Sequence, residues 1–329
     1  MPSTLHRLAR SRPGRWGGLL LIVLVLLALA APVLVRRGLQ VPPDRLAAIG
    51  RPPLTLLYEV HLTSGEVILA ERVEWQGDEL TVSRRSGIER IERTRVANAT
   101  EGGVAGRRLY LLGTDRLGRD VLARTIYGAR ASLTVGILAA LLSLTLGALV
   151  GGSAAMSGRI VDGLLMRLVD GLLAIPTLVL VLVLSALIKP SVEVLILLIG
   201  GTNWMAASRL ARAEILSVQK RDFILAARAI GQTRRRILSH HLLPNALTPL
   251  LVDTSLRVGT VILTESALSF LGLGIPPDVP SWGGMIAHGR ADLATMWWTS
   301  TFPGCAIVLT VLAFNLFADG LRDALDPRL

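Results

Sequence analysis

The sequence predicts an all-α polytopic membrane protein of six transmembrane helices, with a small β-meander inserted in the outer loop between spans one and two. Three observations carry this. Hydrophobic residues make up 51% of the chain and the mean hydropathy is +0.55, above what a soluble domain carries. Six apolar runs approach or exceed the roughly 20 residues a helix needs to cross a bilayer. Between the first two runs, residues 56–96 break into short apolar–polar alternations separated by turn signals.

The first run, residues 17–35, carries no charge. A basic tail before an apolar core is also the layout of a cleaved signal peptide. This stretch is 19 residues long, however, and Pro32 and Arg36 stand where a small-x-small cleavage site would be needed, so it is expected to be retained. The second run, 131–155, is uncharged and contains Gly147, Gly151 and Gly152. Its Gly147 and Gly151 form a small-xxx-small face suited to packing on another span, although a crowded helix explains them nearly as well. The third covers 171–188, with Pro176 as an expected kink. The fourth, 194–208, is short and holds Asn203 and Trp204; the fifth, 246–271, includes Asp253, Arg257 and Glu265; the sixth, 299–318, is free of charge.

Within the insertion, Val67-Ile68-Leu69, Leu80-Thr81-Val82 and residues 88–96 are the strand candidates. Ser64-Gly65, Gln76-Gly77-Asp78 and Ser86-Gly87 supply the turns. Three or four antiparallel strands burying little core of their own are expected, as a lid or docking knob rather than an enzyme domain. The chain then divides into a tail and first span (1–35), an extracytoplasmic loop with its insertion (36–112), and a transmembrane domain (113–329) containing a basic loop at 209–245.

Positive charge in short loops sets orientation, because Lys and Arg stay on the cytoplasmic side. Arg7, Arg10, Arg12 and Arg15 precede span one; Arg159 and Arg167 follow span two; Arg209, Arg212, Lys220, Arg221, Arg228, Arg234, Arg235 and Arg236 follow span four. Six spans place all three groups on one side and both termini in the cytoplasm, in agreement with Arg322 and Arg328. The net charge of +11 is therefore a topology and lipid-headgroup signal, and no aromatic-interleaved basic groove points to nucleic acid.

Chemistry-bearing patterns are absent from the sequence. The single Cys305 leaves no disulfide within one chain, and His6, His61, His240, His241 and His288 lack metal-ligand spacing. Neither Lys189 nor Lys220 follows a phosphate-cradling glycine loop, and no G-x-S-x-G elbow is present. No catalytic residue, cofactor or metal site is expected.

The most informative stretch is RDFILAARAIGQTRRRILSHHLLPN, residues 221–245. After Arg221 and Asp222, Phe223, Ile224, Leu225, Ala226, Ala227 and Arg228 follow a helical pattern, and Gly231 is a natural C-cap. A second helix starts near Thr233, carries Ile237, Leu238 and Leu242 on one side, and ends or bends at Pro244. Small residues at the turn let a partner approach closely. An amphipathic helix lying on the inner membrane surface fits the same pattern, and spacing alone does not separate the two.

Several separate motifs in order resemble the permease subunits of dipeptide, oligopeptide and nickel ABC importers, specifically the second, C-type permease. They are GTDRLGRDVLARTIYGARASLTVG (113–136), MRLVDGLLAIP (166–176), RDFILAARAIG with HHLLPN, ESALSFLGLGIPPDVPSWG (265–283) and LTVLAFNLFADGLRDALDPRL (309–329). The resemblance implies the ABC type I importer permease fold in a bacterial or archaeal plasma membrane. It implies a homologous permease as partner, two ABC ATPase subunits, an extracytoplasmic solute-binding protein, and a peptide as the solute, with nickel or another small solute as the alternative. The chain would catalyse no reaction itself.

In such importers residues matching 221–231 form a cytoplasmic loop whose short helix sits in a groove on an ATPase, with Ala226, Ala227 and Gly231 on motif positions. ATP-driven closure moves this helix as a lever. Leu225 stands where the family usually has Glu, so the polar contact of that acid is not implied here. The insertion at 56–96 is likewise outside the family's core pattern. Asp253 and Arg257, at i, i+4 spacing within span five, either line the pathway or lock the helix as a pair. A stand-alone secondary transporter would show internal repeats with interrupted helices, and a membrane sensor would carry an inner signalling domain; neither is visible.

Overall fold

The structure is a computed structural model that describes residues 11–35, 42–97 and 106–325. Arg7, Arg10 and Arg328, whose charges bear on orientation, and Arg36, which follows the first span, lie outside these described residues.

Helix α1 spans Arg12–Leu34 and begins before the apolar run, because charged residues at a helix end can stand beyond the hydrocarbon. Helix α2 is a single turn, Arg45–Ala48, capped by Asp44, whose carboxylate accepts the Ala47 amide at 3.1 Å. The next spanning helix, α3, runs from Val121 to Met156, ten residues earlier than its uncharged core. At about 1.5 Å per residue, its 36 residues exceed a hydrocarbon core of about 30 Å.

The segment expected as a loop between spans two and three is instead helix α4, Arg159–Leu173. It is followed by α5, Thr177–Leu187, bent from it by 77°. Pro176 has no amide hydrogen to continue α4 but a φ of −55° suited to starting α5, so the expected kink is a break. Alone, α5 is too short to cross. Among the described residues five helices are individually long and apolar enough to span, and a sixth span exists if the bent pair is one.

Helix α6, Val192–Gln219, is capped by the Ser191 hydroxyl and continues well past the short run seen in the sequence. Then come α7 (Asp222–Ala229), α8 (Arg234–Ile237), a π-turn at Leu238–Leu242, α9 (Leu243–Phe270), α10 (Trp282–Gly289) and α11 (Trp298–Leu325). Pro244 does not end a helix: it sits in the first turn of α9. The π-turn just before it, closed by Leu243 N donating to Leu238 O, shifts the hydrogen-bond register where the proline has no amide to give.

Among the described residues, 55–96 hold five strands rather than three or four, and a sixth lies beyond them at Gly106–Tyr110. Strands β1 (Thr55–His61), β2 (Val67–Ala70) and β6 (Gly106–Tyr110) form one antiparallel sheet in the order β2-β1-β6. Strands β3 (Arg72–Gln76), β4 (Glu79–Arg84) and β5 (Gly87–Glu92) form a meander. The strand outside 56–96, β6, hides its pattern behind Arg107 and Arg108. In the sheet Arg108 Nε meets Glu59 at 2.6 Å, and Arg107 covers the Tyr58 ring at 5.6 Å.

Little core was expected of this insertion, yet it has one. Val60, Ile68 and Ala70 pack with Leu80, Val82 and Ile91 of the second sheet, while Leu57, Leu69 and Tyr110 bury against Ala47 and Ala48. Removing these side chains from water supplies the stabilisation that two small sheets lack separately.

The chain forms two compact units. One is Met1–Leu26, Ala131–Val279 and Ile307–Leu329; the other is Leu27–Arg130 and Pro280–Ala306. The first is organised by helix packing. Val135 and Ala139 of α3 bury against Val181, Leu195 and Ile199, and against Val261 and Leu268 of α9. Gly147 and Gly151 of α3 face Ala207, Ser208 and Ala211 of α6 so closely that a Cβ on either glycine would overlap them.

Candidate functional site

Helix α7 is short, and three local features hold it. Asp222 lies in its first turn, where a carboxylate complements the helix dipole. Ile224 and Ala227, three residues apart, point inward and bury with Ala155, Ile215, Val218, Ile237, Leu242 and Ala246. At its end Gly231 N donates to Arg228 O at 3.0 Å and Gln232 N to Ala227 O at 3.1 Å. Gly231 itself has φ +81°, and these bonds form the Schellman arrangement that the glycine position predicts.

The flank of the helix beside this anchorage is apolar and open. Phe223, Ala226 and Ile230 follow at i, i+3 and i+7, with Phe223 42% and Ile230 76% exposed, and Leu225 is exposed on a separate side of the helix. Ala226 and Ala227 therefore do different work. Ala227 seats the helix on its own chain, whereas Ala226 lies on the free face.

Arg221 and Arg228 are exposed, and Arg228 borders a hollow of about 500 Å³ with Gln219, Gln232 and Ile237. His241 braces the turn, its ring centroid 6.2 Å from that of Phe223 in an edge-on arrangement and its Nε2 3.1 Å from Gln232 Oε1. Pro244 is exposed one turn further on.

Asp253 and Arg257 come together on α9, Arg257 Nε donating to Asp253 Oδ2 at 2.5 Å. Asp253 also lines a hollow of about 440 Å³ that includes Arg322 and Pro249, whereas Arg257 is not among its walls. Sequence reasoning missed three further polar contacts of the spanning helices. Arg212 pairs with Asp162, Arg209 with Asp170 at 3.6 Å, and the buried Glu265 accepts from the Ser269 hydroxyl at 2.7 Å. Only the last has helical spacing, i to i+4, as a signal. Among the described residues no group of three or more His, Cys, Asp or Glu is placed to hold a metal.

A multi-pass helical membrane protein with a short helix held out on an anchored basic loop defines the class. Residues 124–329 match the family described as binding-protein-dependent transport system inner membrane component, and the chain belongs to that family. Over 220 residues it is 44% identical to a putative peptide transport system permease protein of Brucella suis, covering 67% of this chain and 74% of that one. It is 42% identical over 229 residues to a di/tripeptide transport system permease protein of Pseudomonas aeruginosa, covering 70% and 75% respectively. A dipeptide transport system permease protein of Alkalihalophilus pseudofirmus is 42% identical over 220 residues, covering 67% of this chain and 72% of the relative. The chain is thus a multi-pass inner-membrane component of a transport system.

Proposed function

We propose that this chain is the permease subunit of a peptide ABC importer, that α7 is the seat of an ATPase subunit, and that an extracytoplasmic binding protein delivers the peptide. A homologous permease completes the pathway, ATP hydrolysis resides in the ATPase subunits, and both termini are cytoplasmic. The names of the relatives support the peptide as solute. The single observation that carries the coupling role is the exposed stripe of Phe223, Ala226 and Ile230 on a helix whose neighbouring face is locked to the spans through Ile224 and Ala227. A partner that covers the stripe gains buried apolar area and pushes on a body firmly attached to α6 and α9.

The test is Ile230→Asp in cells expressing the whole transport system. Membrane abundance should be unchanged, while co-purification of the ATPase subunits and uptake of a labelled dipeptide both fall at least tenfold, a loss of about 1.4 kcal/mol or more of binding. Unchanged association together with unchanged uptake would end the coupling assignment. For Asp253 and Arg257 the supporting feature is the hollow beside Asp253. If they line the pathway, Asp253→Asn with Arg257→Gln lowers uptake at equal abundance.

A further inference from the structure

A cavity of about 80 Å³ lies in the unit that contains the insertion, between the segment 115–124 and helix α10 with its following turn. Its charges do not balance. Arg116 is paired with Asp292 through two contacts of 2.9 and 3.0 Å, and Arg119 with Asp115 at 2.6 Å. Asp115 is further engaged by the amides of Leu117 and Arg119. Arg124 remains, also lining the cavity and only 6% exposed. Its guanidinium makes no hydrogen bond or ion pair among the described residues. Asp120, one turn earlier, directs its carboxylate to the Ala123 amide instead.

An arginine keeps its proton when largely buried, so a guanidinium with no protein partner and little contact with water favours an anion beside it. Three arginines against two aspartates leave one surplus positive charge on the cavity wall. We propose that this cavity is a binding site for a carboxylate, held by Arg124. One surplus charge matches a monoanion, and the flat guanidinium fork matches two carboxylate oxygens. The volume admits a group of a few heavy atoms. The remaining walls include Leu117, Val121 and Met285, which suit the hydrocarbon behind a carboxylate better than a hydrated inorganic ion. Access lies on the side of Leu117 and His288, both exposed. The proposal is independent of the coupling role of α7 and of transport itself.

The experiment uses the full chain purified in detergent and follows its thermal unfolding. Acetate should raise Tm saturably, whereas acetamide, or chloride at the same ionic strength, should not. Arg124→Gln should weaken the half-saturating acetate concentration by about tenfold or more, and Arg124→Lys, which keeps the charge without the fork, should weaken it less. Leu117→Trp, at a position 49% exposed, narrows the mouth without entering the core and should also weaken the response. Dialanine and its C-terminal amide then separate two sources of the carboxylate. Binding of dialanine alone identifies a free solute, and acetate binding without dialanine binding identifies a side chain presented by a docked protein. An equal response to acetate and acetamide, or an undiminished acetate response in Arg124→Gln, overturns the site. Should that variant not fold, an undiminished response in Leu117→Trp does so.

Discussion

Arg212 of α6 grips Asp162 of α4 with two hydrogen bonds, Nε to Oδ1 at 2.5 Å and Nη2 to Oδ2 at 2.6 Å, across 50 residues of chain. The fork geometry gives direction as well as attraction, and it ties the near half of the broken span to a helix whose far end leads into α7. Both side chains are partly exposed, so the pair contributes about 1 kcal/mol rather than the several of a buried one. Asp162→Asn and Arg212→Gln should each lower Tm in detergent by a few degrees, and the double variant should lose less than the sum of the two. Strictly additive losses would show that the two side chains do not interact.

The contact of Gly151 with Ser208 has a steeper consequence. A Cβ at position 151 would overlap the Ser208 carbonyl oxygen and lie 3.0 Å from Ala211 Cβ, atoms of backbone or of a side chain with nowhere to turn. Gly151→Leu should therefore separate α3 from α6 and cost about 2 kcal/mol or more, with a matching fall in membrane abundance. Gly163→Ala on α4, where an added Cβ meets nothing within 4 Å, is the control and should be silent. Comparable unfolding temperatures for the two variants would rule out the close approach.

The same glycines show what can be read from a sequence and what cannot. Spacing nominated Gly147 and Gly151 as a packing face, but only the fold supplies Ala207, Ser208 and Ala211 as its other half. The apolar runs were legible because a bilayer imposes a length on them. Their true ends were not, because helices such as α3 and α6 continue through Arg124 and Arg212 where hydropathy stops. Pro176 marked a disturbance without saying whether it bends or breaks. Strand β6 escaped notice because its burial depends on β1, placed about 50 residues earlier, which pairs Arg108 with Leu57 across the sheet. In the basic loop the helix, its glycine cap and the inward Ile237 and Leu242 were visible as local patterns. The opposite roles of Ala226 and Ala227 required knowing which side of α7 faces the spans.

Gly231 separates backbone strain from docking. Its φ of +81° favours glycine, yet a Cβ there meets no atom within 4 Å, so substitution strains the turn without a clash. Gly231→Asn should be nearly neutral, since Asn tolerates this region, while Gly231→Val should cost about 1 to 2 kcal/mol and loosen the Schellman turn. Limited proteolysis across residues 221–233 reads the loosening directly. Equal protease sensitivity of the Asn and Val variants would mean that backbone conformation at this turn is not what holds α7.

Asp120 offers a test through pH. Its carboxylate caps the start of α3, accepting the Ala123 amide at 3.2 Å, and burial pushes its pKa above the ordinary carboxylate value, against the opposing pull of the Ala123 and Leu122 amides and of Arg108. A folded pKa above the unfolded one means that the native state holds the proton more tightly. The stabilisation from that proton is complete below the unfolded value of about 3.9 and is lost as pH rises through the folded value. At neutral pH the ionised, desolvated carboxylate is then a cost. Asparagine keeps an acceptor for the helix start and has no charge to desolvate. Asp120→Asn should therefore raise Tm relative to the parent at pH 7, and the advantage should shrink as pH is lowered towards 4. A variant less stable than the parent at pH 7 would show that the charge of Asp120 stabilises the start of α3 by more than its burial costs.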